Sequence, residues 1–257
     1  MTTAAEKALF NYTLQLGDNT LILAQRLGEW CGHGPVLEHD IALTNIALDL
    51  LGQARMFLSY AGECEGRGRT EDHLAYFRDV QDFRNVLLVE QPNEDWAHTI
   101  ARQFFFDVYN FYNLQALVKS RDERLAAIAE KALKEATYHL RYSSEWTIRL
   151  GDGTELSRQK MQNAIEDLWM YTGELTTPNE TERLMAETGI GPDLLKIKPL
   201  WDAKVNAVLE EATLQKPAAG GLSRGLGSGK DGRHTEQLGF ILAEMQFLQR
   251  TYPGLEW

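Results

Sequence analysis

The chain of 257 residues predicts an all-α fold: a bundle of four long helices followed by shorter ones. Three observations predict it. Apolar residues recur at steps of three and four almost throughout, the period of an amphipathic helix. No run alternates as a strand between hairpin turns, and no repeat of solenoid period occurs. Hydrophobic residues make up 44% of the chain, enough for a large core without a disulfide or metal staple.

The elements follow in order. Leu9, Leu16, Leu23, Leu27 and Trp30 share one stripe, filled in by Thr13 and Thr20. Gly32, His33, Gly34 and Pro35 end this first helix. A second helix is expected over 38–61. Its centre, Ile46-Ala47-Leu48-Asp49-Leu50-Leu51, is apolar nearly all round, which predicts a central, buried helix. Residues 62–70 read as a loop and Gln91-Pro92-Asn93 as a second break. The third helix, 94–119, carries Ile100, Phe104, Val108, Phe111 and Leu114. Ser120-Arg121-Asp122-Glu123 resembles a capping box that opens the fourth, which runs to Leu150 with Gly151 just past its end. Shorter helices are expected at 157–172, 180–187, 200–214 and 235–251. The organisation is read as one domain, a core bundle over about 4–172 with a helical extension over about 173–257. Residues 218–232 are too Gly-rich to order themselves and are expected to form a mobile surface loop.

Composition excludes several functions. The net charge of −11 opposes general nucleic-acid binding, which needs a basic face. The two cysteines, Cys31 and Cys64, cannot build a disulfide framework, a four-cysteine zinc site or an iron–sulfur cluster, and are expected to be reduced thiols. The N-terminus lacks a basic region followed by an apolar run, so no signal peptide is expected. Charged or polar residues interrupt every candidate membrane span. A cytoplasmic protein without nucleic-acid or membrane partners is the expectation.

Three carboxylates fall where helices are apolar, Asp49, Asp107 and Glu135, and Asp18, mid-way along the first helix, is a fourth candidate, giving one per long helix. A buried carboxylate must be paired, hydrogen-bonded, metal-bound or protonated. Di-iron bundles place a Glu on each of two helices and a Glu-x-x-His on each of the other two. Here the two His positions are Gly52 and Tyr138, and His139, one step further, supplies a single imidazole. These are read as vestigial positions, with no metal in this chain. Arg26, Arg102, Lys131 and Arg141 are the expected partners of the acids. The competing reading is a self-sufficient di-metal oxidase or oxygenase using Asp18, Asp49, Asp107, Glu135 and His139. Gly227-Ser228-Gly229-Lys230 lacks the first Gly and the final Ser/Thr of a phosphate loop. With Arg224, Arg233 and His234, however, Lys230 puts positive charge on the flexible segment.

Several long blocks resemble one family. They are Leu14 to Asn19, Gln25 to His33, Leu48 to Arg55, Leu87 to Asn93, Lys134 to Arg141, His234 to Glu236 and Leu242 to Gln246. All are similar to the structural subunit family, PaaC, of the phenylacetate-CoA oxygenases (1,2-phenylacetyl-CoA epoxidases). The resemblance implies a ferritin-like fold and a non-catalytic, structural and substrate-positioning role. It implies pairing, as a heterodimer, with a di-iron catalytic subunit. It also implies further oxygenase and reductase subunits, and phenylacetyl-CoA as substrate. No cofactor is implied for this chain. Family members contribute to the CoA-ester site through two short segments, which fall by position at Asp82, Phe83, Arg84 and Asn85 and at Arg183, Leu184 and Met185. Arg84 and Arg183 suit CoA phosphates and Phe83 an adenine face, with Lys230 as a further cation.

Overall fold

The computed structural model describes residues 4–218 and 227–255, and these are helical with no strand among them. The all-α expectation holds, with 76% of the described residues in helix, in keeping with a ferritin-like bundle. The chain divides into two compact units, Met1–Glu90 with Leu226–Trp257, and Gln91–Gly225.

In the first unit, α1 (Ala4–Gly28) packs along α2 (Leu37–Glu65). The short helices α3 (Glu71–Tyr76), α4 (Leu87–Glu90), α10 (Glu236–Met245) and α11 (Phe247–Thr251) complete it. The helix buried on all sides is α1, from Tyr12 to Ala24, not α2 as its apolar centre predicted. The polar residues of α1 have internal partners. Thr13 and Thr20 donate to backbone carbonyls one turn earlier, and Asp18 and Asn19 hold a neighbouring segment. In α2, Leu43, Ile46, Leu50 and Phe57 are buried, while Leu48 and Leu51 are exposed. The second unit centres on α5 (Trp96–Leu117), which packs against α6 (Glu123–Gly151), α7 (Glu155–Thr176) and α9 (Leu194–Glu211); α8 (Glu180–Thr188) precedes α9. Phe105, Trp169 and Trp201 form its aromatic centre, with ring centroids 5.6 to 6.0 Å apart. The Trp201 indole donates to the Phe105 carbonyl at 3.1 Å, the partner a buried indole needs.

Several boundaries differ from expectation for local reasons. Asp122, not Ser120, caps α6, accepting from the Leu125 amide. Gly151 ends that helix inside it. A Cβ there would overlap the Ala212 carbonyl, so close packing on the end of α9 selects the glycine. α9 begins at Leu194, capped by Asp193, and carries Pro199 within it. The C-terminal helix breaks at Gln246, whose amide donates to the Ala75 and Arg78 carbonyls. Neither cysteine forms a disulfide.

A polar clamp joins α5 to α7. The His98 ring lies 3.0 Å from Asp95, the N-cap of α5, and 3.0 Å from Asp167. Burial works against a charged ring, but hydrogen bonds and charge from Asp95 and Asp167 outweigh it and raise the His98 pKa above 6.5. A raised folded pKa gives stability that is full below the unfolded value and is lost as pH rises through the folded one. His98→Gln is therefore expected to lower the melting temperature at about pH 5.5 more than at about pH 8.5. An equal loss at both would show that the ring is not held charged.

Candidate functional site

The segment between α3 and α4 is built on two buried acids. The first is Asp18 of α1. Both its oxygens accept from the Arg78 guanidinium, and one also accepts the Arg84 amide at 2.8 Å. Its neighbour Asn19 accepts the Val86 amide at 2.8 Å. Arg78 further donates to the Leu74 and Asp82 carbonyls and lies 4.2 Å above the Phe83 ring. Between these points the chain makes one 3-10 turn, Val80–Asp82, closed by a reciprocal Asp79–Asp82 capping box. The second acid is Glu90, at the end of α4. One oxygen accepts from the Thr235 amide and hydroxyl, at 2.7 and 2.8 Å. The other accepts from the Asn85 amide group at 3.0 Å and lies 3.0 Å from His234 Nδ1. His234 Nε2 donates to the Phe83 carbonyl, and Arg26 grips the Glu90 carbonyl at 2.8 and 3.1 Å.

These bonds lay residues 227–235 along 81–90. The expectation of a mobile loop over 218–232 is corrected for this part, where Gly229–Asp231 form a second 3-10 turn. A Cβ on Gly229 would overlap the Asn85 carbonyl, so only glycine permits the approach. Residues 219–226, including Arg224, lie outside the described residues. The expected basic cluster is corrected as well. Lys230 is buried and His234 is committed to Glu90 and Phe83, so Arg233 is the exposed cation there.

The segment residues divide by exposure. Asp82 is exposed and Arg84 half-buried. The Arg84 guanidinium donates to the Gln81 and Phe83 carbonyls, both at 2.7 Å, and meets no carboxylate among the described residues. Phe83 and Asn85 are fully buried. Phe83 lies under Arg78 and offers no open ring face, against its expected role beside an adenine. In the second unit, Arg183 is exposed, Leu184 half-buried and Met185 buried on α8. A groove of about 320 Å³ runs beside the first 3-10 turn, lined by Val80, Leu242, Phe247 and Arg250 among others.

The positions expected to be vestigial lie in different surroundings from one another. Asp18 pairs with Arg78, not with Arg26 or Arg102. Arg102 instead donates to the Gln91 carbonyl and to Asn93. Asp107 accepts from Gln103 and Ser143, each at 2.7 Å. Burial raises its pKa to about 7, against the lowering influence of His139, Ser143 and Gln103. Asp49 and Glu135 are half-buried rather than enclosed, while His139 is buried. Gly52 has no side chain, and Tyr138 is partly exposed, stacked with Tyr142 and under Arg141. Among the described residues no three His, Cys, Asp or Glu come together as a metal site. Gly52 cannot donate, and Asp18 already spends both oxygens on an arginine, so the donor set does not fit a di-metal centre.

Sequence reasoning missed Arg78 and Glu90 as the organisers of the segment. Glu90 had a signal: an acid closing the apolar run Leu87-Leu88-Val89. Arg78 had none, since its acid lies 60 residues away.

The chain is 55% identical over 246 residues to the C subunit of the 1,2-phenylacetyl-CoA epoxidase of Escherichia coli (strain K12), covering 96% of this chain and 98% of that protein. It is 23% identical over 180 residues to the A subunit of the same enzyme, covering 70% of this chain and 57% of that one. The profile of the phenylacetic acid catabolic proteins matches residues 1–257, and the chain belongs to that family.

Proposed function

We propose that this chain is the non-catalytic structural and substrate-positioning subunit of a phenylacetyl-CoA epoxidase, acting in the cytoplasm in aerobic phenylacetate degradation. The observation that carries this reading is the 55% identity to the Escherichia coli C subunit along nearly the full length of both proteins. Its partner is a di-iron catalytic chain of the A-subunit kind, with further oxygenase and reductase subunits in the same complex. The weaker likeness to the A subunit supports a pair of related chains, one of which carries the metal. The unbroken family match supports a single functional domain over 1–257.

The proposed contacts of the CoA ester are Asp82, Phe83, Arg84, Asn85 and Lys230 in the first unit and Arg183, Leu184 and Met185 in the second. Within this set, Arg84 and Arg183 are the groups that can meet phosphate. Both are at least partly exposed and neither pairs with a carboxylate among the described residues. Phe83, Asn85, Lys230 and Met185 are buried and act by shaping the backbone around them. In a protein of net charge −11, an arginine without a counter-ion is a local exception to a field that repels CoA.

The test is co-purification with the A-subunit homologue of the same source, metal analysis of each chain, and kinetics of the assembled complex. Iron is expected in the partner. Arg84→Ala is expected to raise KM about tenfold to a hundredfold at unchanged kcat, since a charge-assisted phosphate contact contributes about 1.5–3 kcal/mol. A complex that fails to form would overturn the reading of this chain as one member of a pair. A normal KM in Arg84→Ala would move the ester contact elsewhere and leave this chain a scaffold.

A further inference from the structure

The inference rests on the pairing reading above and concerns the surface that serves it. α2 is apolar on two opposite faces, and α1 covers one of them. The other carries Leu37 at 71% exposure, Ile41 at 51%, Leu48 at 59% and Leu51 at 36%. Their positions, with Thr44, follow alternating steps of four and three, the seam of two long helices packed side by side. The exposed area of these four residues is roughly 400 Å², within the range of the largest apolar patch on a monomer, which is often functional, and about half of one partner's share in a standard interface.

A second observation is independent of the first. Gly52 lies on this same face, near the middle of a helix of 29 residues. A Cβ built on it meets nothing within 4 Å. Nothing inside the chain therefore asks for glycine, and alanine would favour the helix more. A notch between Leu48 and Arg55 that serves no internal contact is what close approach by an external helix requires.

We propose that this α2 face, centred on Leu48 and Gly52, docks a long helix of the A-subunit-like partner, whose backbone comes closest at Gly52. The occupant is argued from kinship. The relatives at 55% and 23% identity are named as two subunits of one enzyme, so a chain of this family works beside a diverged copy of itself. Such a copy brings long helices of the same kind. α2 is also long and apolar enough to cross a membrane by composition. Its covered face on α1 and the notch at Gly52 favour a protein helix.

The experiment uses the full chain and its A-subunit homologue. Gly52→Leu, Leu48→Glu and the control Phe240→Glu, at a separate exposed apolar position, are each measured for melting temperature alone and for Kd with the partner. Gly52→Leu is expected to keep or raise the melting temperature of the isolated chain and to weaken pairing at least tenfold. Leu48→Glu is expected to weaken pairing similarly, and Phe240→Glu to leave it unchanged. If the wild-type chain pairs and both seam variants pair equally well, the surface assignment falls while the proposed function stands. If the wild-type chain does not pair, the proposed function itself falls. Loss of a wild-type homodimer in both variants, with no change in partner binding, would give the face to a second copy. Seam-dependent flotation with phosphatidylglycerol vesicles would give it to a membrane. A lower melting temperature for Gly52→Leu would make the notch internal and overturn its role.

Discussion

Asp18→Ala is expected to destabilise the chain by about 3–5 kcal/mol, because it strands a buried guanidinium. The Asp18 and Arg78 side chains are 0% and 3% exposed. Arg78 retains the Leu74 and Asp82 carbonyls after the substitution, but these do not neutralise its charge. The Arg84 amide also loses its acceptor. Urea denaturation of both proteins measures the difference, and a loss below about 1 kcal/mol would mean that water reaches Arg78 and relieves it. The double variant Asp18→Leu, Arg78→Met removes both charges and is expected to recover most of the loss, since a buried pair replaced by apolar groups of similar volume is often close to neutral. The same pair holds the backbone of the proposed ester segment. The single variant is therefore expected to disturb 78–85 first, seen as faster amide exchange there than in α5.

Helices were legible in the sequence because amphipathic spacing is a local property. Which helix is buried was not. In α1, Gln15 and Asn19 suggest a wet face, yet both are buried. In α2 the continuous apolar run suggests a core, yet Leu48 and Leu51 face outward. Polarity of a side chain reports burial only when its partners are known, and those partners lie far along the chain. Asp18 finds Arg78 across 60 residues, and Glu90 finds His234 across 144. That Gly52 and Tyr138 stand where a Glu-x-x-His pair would carry histidine is legible without a structure. The proposed ester segment reads in the sequence only as a stretch of chain. That Phe83 lies under Arg78, and that Lys230 turns inward, depends on residues 227–235 folding back onto 81–90. The boundary errors have a nearer origin. The helix expected from 200 begins earlier, with Pro199 inside α9, because Asp193 caps it further upstream, accepting from the Leu195 amide.

Asp107→Asn is expected to be the more stable protein above neutral pH and to lose that advantage in acid. Asp107 is enclosed, and burial lifts its pKa from 3.8 to about 7, while the nearby His139 pulls the other way. The bonds from Ser143 and Gln103 also favour the ionised form, but the protonated acid can keep both contacts. Ser143 has one proton and three acceptors in reach, Asp107 at 2.7 Å, the His139 carbonyl at 3.0 Å and the Leu140 carbonyl at 3.4 Å. A protonated Asp107 donates to the Ser143 oxygen and frees that proton for a carbonyl, while Gln103 donates to its other oxygen. An acid whose folded pKa is raised gives full stability below the unfolded value. As pH rises from about 4 to about 7, the unfolded chain releases the proton and the folded one keeps it, so stability falls. The total is on the order of 4 kcal/mol, complete above about pH 7. An asparagine amide can take the same two bonds without titrating: its oxygen accepts from Gln103 and its NH₂ donates to Ser143. The variant should therefore lie within about 1 kcal/mol of the original at pH ~4 and exceed it by a few kcal/mol at pH ~8. Denaturation of both proteins at the two pH values, compared as a difference, cancels every other titrating group. An equal difference at both would mean that Asp107 is ionised throughout, with its charge carried by His139.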